Sequence, residues 1–216
     1  SEPINAVTNF VIIFAGLMAL RLYHKQFPLH GHKHRPNVLI LIILVILTGL
    51  GSFLYHTFAT VWAAWLDLLP IAGFIYLYHA VFLRRILAFR YPYILVYVVM
   101  FFVFSFLLMK AYGQEALNGS IGYLPGLVSF FVVWLFMYLE ERPGTRLFGA
   151  TAVIFCMSVF FRSIDMEVCS LFPTGSHFMW HSLNAIVLYF LLKLVIQLPN
   201  FYQRQQRDLE IKNTEY

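Results

Sequence analysis

His177 and His181 stand four residues apart in His177-Phe178-Met179-Trp180-His181. On a helix that spacing puts both rings on one face, a good geometry for two ligands of one metal ion. A third histidine, His56, ends the segment Gly51-Ser52-Phe53-Leu54-Tyr55-His56, and Ser52 lies one turn before it on the same face. Asp67, in Trp65-Leu66-Asp67-Leu68-Leu69-Pro70, is the only acid deep in its apolar run. Three histidines with a fourth position left for water form a catalytic zinc pattern. Zinc held this way brings the pKa of a water to about 7 and polarises a carbonyl. Asp67 then suits a general base or a group that orients the water. Ser52 suits a hydrogen bond to that water or to a developing oxyanion. Taken singly, each residue has a plainer reading. A lone interfacial histidine is more often a snorkelling or hydrogen-bonded group, and a lone buried acid is more often structural. Their convergence at one depth carries the metal reading, because ionisable groups inside a membrane are costly.

The elements that must position these residues follow from composition. Of 216 residues 61% are hydrophobic and only 12% charged, against roughly 45–50% and about 25% in soluble domains. Lipid is the solvent that suits such a chain. Seven stretches are long enough to span a bilayer, near Ile4–Tyr23, Asn37–His56, Thr60–His79, Tyr91–Lys110, Ile121–Leu139, Leu147–Arg162 and His177–Leu198. Backbone polar groups must be paired in lipid, so these spans are helices. The alternating segments of a barrel are absent from the sequence. The expected fold is therefore all-α, a polytopic membrane protein with a seven-helix bundle over residues 1–198 and a polar tail over 199–216. Span two ends on the side where spans three and seven begin, so His56, Asp67, His177 and His181 share one layer.

Charge orients the bundle. Of the 15 Lys and Arg, 13 lie at the opposite side from this layer, which keeps only Lys110 and Arg162. Positive loops stay cytoplasmic, so the expected C-terminus is cytoplasmic and the N-terminus and site are outside or lumenal. A bacterial inner membrane or an ER/Golgi membrane fits. Ser1–Val7 lacks the basic stretch of a signal peptide. His30, His32 and His34 read as a solvated basic loop, His79 as interfacial, and Cys156 as a packing residue. Cys169 falls in an outer loop where oxidation is feasible. Two cysteines make no disulfide framework and no cysteine metal cluster.

The combined motifs resemble the alkaline ceramidase family, within the wider group of adiponectin-receptor and Per1-like membrane hydrolases. They are Ser1-Glu2-Pro3-Ile4-Asn5-Ala6-Val7-Thr8-Asn9, Gly49-Leu50-Gly51-Ser52 with His56, Asp67-Leu68-Leu69-Pro70-Ile71, and Gly175-Ser176-His177-Phe178-Met179-Trp180-His181-Ser182-Leu183-Asn184-Ala185. The compact loops look most like bacterial-type members. The resemblance implies Zn2+ on His56, His177 and His181, with Ser52 and Asp67 beside it. It implies hydrolysis of the ceramide amide to a sphingoid base and a fatty acid. It also implies Ca2+ near the N-terminus, where Glu2 matches the last acid of that site, and a cysteine partner for Cys169 upstream. The expected partners are membrane lipid and the bilayer, with no nucleic acid. Two other functions fit the same spans: a lipid esterase of Per1-like type, and a receptor with structural zinc. Short loops and a short tail favour an enzyme over a receptor.

Overall fold

A computed structural model describes residues 2–27, 35–113, 115–169 and 171–198. The loop with His30, His32 and His34 and the tail 199–216 lie outside the described residues. Eight α-helices follow one another: α1 (Pro3–Gln26), α2 (Pro36–Phe58), α3 (Val61–Arg85), α4 (Tyr91–Tyr112), α5 (Leu124–Leu139), α6 (Thr145–Ser163), the short α7 (Asp165–Val168) and α8 (His177–Gln197). A 3-10 turn, Ser120–Tyr123, leads into α5. Seven helices are long and apolar enough to cross a membrane, with α5 counted from that turn. The chain is thus a multi-pass, all-α membrane protein, as the sequence indicates. Proline stands at the first or second position of α1, α2, α4 and α5, where its missing amide costs nothing and its fixed φ suits a helix start.

Burial identifies the central helix. Among the described residues α8 carries eleven buried side chains, whereas α4 carries one, Ile94. Two of the three candidate ligands therefore stand on the most buried helix. Many large apolar side chains lie on the outside, among them Phe14, Val99, Phe102 and Phe106. In lipid this costs nothing, so helix association must come from close packing and hydrogen bonds rather than from expulsion of water.

Glycines supply the close packing beside the site. A Cβ on Gly51 would sit 2.0 Å from the Leu66 carbonyl oxygen, and one on Gly49 would sit 3.2 Å from the Asn9 carbonyl oxygen. Gly51 thus lets α2 lie backbone to backbone on α3 next to Asp67, and Gly49 does the same between α2 and α1. Pro70 helps, because it lacks the amide that would otherwise bond Leu66 O within α3. Two residues, Ala59 and Thr60, join α2 to α3, so the end of one helix and the start of the other share a depth.

Two expectations are corrected. His79 is not an interfacial residue, since α3 continues to Arg85 and the ring links helices. Its Nδ1 pairs with Ile75 O at 2.7 Å and its Nε2 with Ser129 Oγ at 2.8 Å, while Tyr97 Oη meets the same hydroxyl at 2.5 Å. That chain ties α3, α4 and α5 together. Cys156, expected in the packing, is exposed on the outer surface.

Candidate metal centre

His56 is two residues from the end of α2, and His177 and His181 lie in the first five residues of α8. One nitrogen from each ring falls within 4.8 Å of the others. The ring centroids are 5.1 Å apart for His56 and His177, 4.9 Å for His56 and His181, and 4.7 Å for His177 and His181. His181 is 2% exposed, so its ring faces protein rather than water.

The outer nitrogens of two rings are already engaged. His56 Nδ1 meets Glu2 Oε2 at 2.8 Å. His181 Nδ1 meets Asn5 O at 3.1 Å and Thr8 Oγ1 at 3.0 Å. A carboxylate and a carbonyl are acceptors, so each Nδ1 donates and Nε2 is the nitrogen left to face a metal. Histidines that hold a metal are oriented by such outer partners. The donor set fits a divalent zinc on that count: three imidazoles with close nitrogens, two of them oriented by outer partners. All three outer partners come from the start of α1: Glu2 at its N-cap, and Asn5 and Thr8 in its first two turns. Glu2, expected from the resemblance as a calcium ligand, here spends Oε2 on His56 and on Asn5 Nδ2, which donates at 2.8 Å. The Asn5 amide first, then the His56 ring, hold the Glu2 carboxyl below the usual carboxylate range against the opposing effect of partial burial. The Glu2 amide also donates to His56 O at 3.1 Å, so the N-terminus of α1 is pinned to the end of α2.

Asp67 is the seventh residue of α3, about 9 Å along the helix at 1.5 Å per residue, and is half-buried. The Ser52 hydroxyl and the His56 ring both lie within interaction reach of its carboxylate. Ser52 is 5% exposed. The structure therefore brings together all five residues singled out from the sequence, from α2, α3 and α8.

A family model described as Ceramidase matches residues 1–215. The chain belongs to the ceramidase family. No curated protein matches it. Membership makes this a membrane hydrolase with ceramide-hydrolysing, amide-cleaving chemistry. The family match covers the described bundle from end to end, the histidine cluster included.

Other residues around this ceramidase site escaped sequence reasoning. Asp165 Oδ1 accepts from the amides of Ser176 at 2.6 Å and His177 at 2.9 Å, supplying the anion that an α-helix N-terminus favours. Ser176 Oγ donates to Phe161 O at 2.6 Å. These bonds fix the start of α8 and hence His177. Gly175 has φ +63, and a Cβ there would sit 2.3 Å from Asp165 Oδ1, so glycine is required on both counts. Arg162 stacks on Tyr123 and Trp180, with Cζ 5.5 and 5.2 Å from the ring centroids. Trp180 sits one residue before His181. A carboxylate just after a helix and an arginine among aromatics carry no periodic signal, which is why Arg162 was noticed only as a charge and Asp165 not at all.

Proposed function

We propose that this ceramidase-family chain is a zinc-dependent intramembrane amidase that cleaves N-acyl sphingoid lipids such as ceramide. The observation that carries the reading is the trio of imidazoles whose nitrogens approach within 4.8 Å, with the Asp67–Ser52 pair beside them. His56, His177 and His181 would hold the ion. Zinc bound there supplies Lewis-acid activation of a water and of the amide carbonyl. Asp67 takes the proton of the attacking water and returns it to the departing nitrogen, so that the amine leaves neutral. Ser52 orients the carboxylate while its hydroxyl donates to Asp67. Once Asp67 carries the proton, that hydroxyl is free to turn to the oxyanion of the tetrahedral carbon. The acyl carbon leaves as a carboxylic acid.

Access from the membrane supports a lipid substrate. Asp67 is flanked on α3 by Trp65, Leu66, Leu68 and Leu69, all exposed. A two-tailed lipid reaches such a helix laterally, while a water-soluble peptide does not. The proposed orientation puts the site at the outer face, opposite the 13 cationic residues. Esterase and amidase chemistry share a tetrahedral oxyanion, so substrate choice is the test. Purified, zinc-loaded protein is incubated with ceramides and with diacylglycerolipids, and released fatty acid is measured. Release from ceramides supports the amidase. Release only from glycerolipids would replace it with the esterase, and retained zinc with no hydrolysis would favour the receptor.

A further inference from the structure

We infer that Arg162 is the acyl-carboxylate anchor of this site, its guanidinium binding the carboxylate that amide cleavage leaves on the fatty chain. The inference rests on the amidase reading. Hydrolysis adds the oxygen of water to the carbonyl carbon and breaks the C–N bond; the acid formed then gives its proton to the released amine, so the acyl fragment gains an anionic end where the neutral amide stood.

Arg162 is positioned for that charge. It is the penultimate residue of α6, at the end of the bundle that holds the histidines. Its guanidinium rests on Tyr123 and Trp180, whose rings are themselves 4.6 Å apart. Trp180 lies three residues after His177 and one before His181 on α8, so the stack is built onto the helix that offers two ligands. The backbone is tied as well, since Asn118 Nδ2 donates to Arg162 O at 3.1 Å.

What Arg162 lacks is an acid. Among the described residues no carboxylate lies within ion-pair distance of it. Asp165, three residues on, is committed to the start of α8, and Glu2 to His56. Its Nε is buried with no hydrogen-bond partner. Aromatic faces steady a cation but accept none of its fixed fork of donors. An anion with two coplanar oxygens is the ligand that such a fork matches, and charge-assisted pairs of this kind are the stronger hydrogen bonds.

The test measures binding rather than turnover. Zinc-loaded full-length chain in detergent micelles is titrated with tritiated oleate and tritiated oleyl alcohol by scintillation proximity, with empty micelles subtracted. Wild type, Arg162→Lys and Arg162→Gln are compared, and zinc content is measured in each. Wild type is expected to prefer oleate. Arg162→Gln should weaken oleate about tenfold or more with little change for oleyl alcohol, and Arg162→Lys should fall between. Equal loss of both ligands would make Arg162 a structural staple and overturn the assignment. So would a wild type that binds the acid no better than the alcohol. Ceramide 1-phosphate that outcompetes oleate, and loses that advantage in Arg162→Gln, would place the anion on the headgroup and overturn it too. Ceramide turnover is assayed separately, so Arg162-dependent oleate binding without amide cleavage would sink the amidase reading alone.

Discussion

Each site residue acts through a particular atom, and the predictions at this scale separate holding the metal from moving the proton. Asp67→Asn keeps the shape of the side chain and its contact with Ser52 but cannot take a proton. Hydrolysis should fall by about 10²–10⁴-fold while zinc content, measured by elemental analysis, stays at the wild-type level. Wild-type turnover in this variant would leave Asp67 a structural role only. Glu2→Gln acts differently, because Glu2 touches the far nitrogen of His56 rather than the reacting groups. Its removal should weaken zinc retention by roughly 10–100-fold, read by competition with a chelator, with the helical circular dichroism signal unchanged. Unchanged zinc affinity would show that α1 does not tune His56.

At the scale of elements, the site depends on how closely α2 can lie on α3. Gly51→Ala puts a methyl group 2.0 Å from the Leu66 carbonyl oxygen, so one helix must move. The expected cost is about 1–3 kcal/mol, with a lower Tm in detergent and weaker zinc retention, because His56 and Asp67 ride on the displaced helices. A thermal transition equal to wild type would contradict the tight contact. Seven spans were readable because lipid imposes a simple rule of length and apolarity on each segment. The i, i+4 histidine pair was readable because helix periodicity alone brings the two rings together. His56 joined them through topology, since an even-numbered span ends where odd-numbered spans begin. The outer partners of the rings were not readable. Thr8 and His181 are separated by 173 residues, and nothing local in either segment announces the bond. His79 was misplaced because a span of about 20 residues counted from Thr60 ends there. Instead α3 runs on to Arg85, which leaves the His79 ring inside the bundle against Ser129. Cys156 was misplaced because α6 is apolar on all sides, and periodicity then does not tell lipid from neighbour.

At the scale of the whole molecule, the charge asymmetry and the site lie at opposite ends of the bundle. If the 13 cationic residues face the cytoplasm, a tag after Tyr216 should resist protease added to intact cells and be cut once the cells are opened. Cutting in intact cells would reverse the orientation and place the site at the inner face. The central claim is that three imidazoles hold a zinc ion on which amide cleavage depends. Its most direct test is to strip purified protein with a chelator, confirm the loss of metal by elemental analysis, and follow fatty acid release from a long-chain ceramide before stripping, after it, and after zinc is returned. Wild type should hold about one zinc per chain, lose release on stripping and regain it on return, while His181→Ala should neither hold the ion nor recover. Release that persists at the same rate in the stripped protein, or zinc held equally by His181→Ala, would contradict the account.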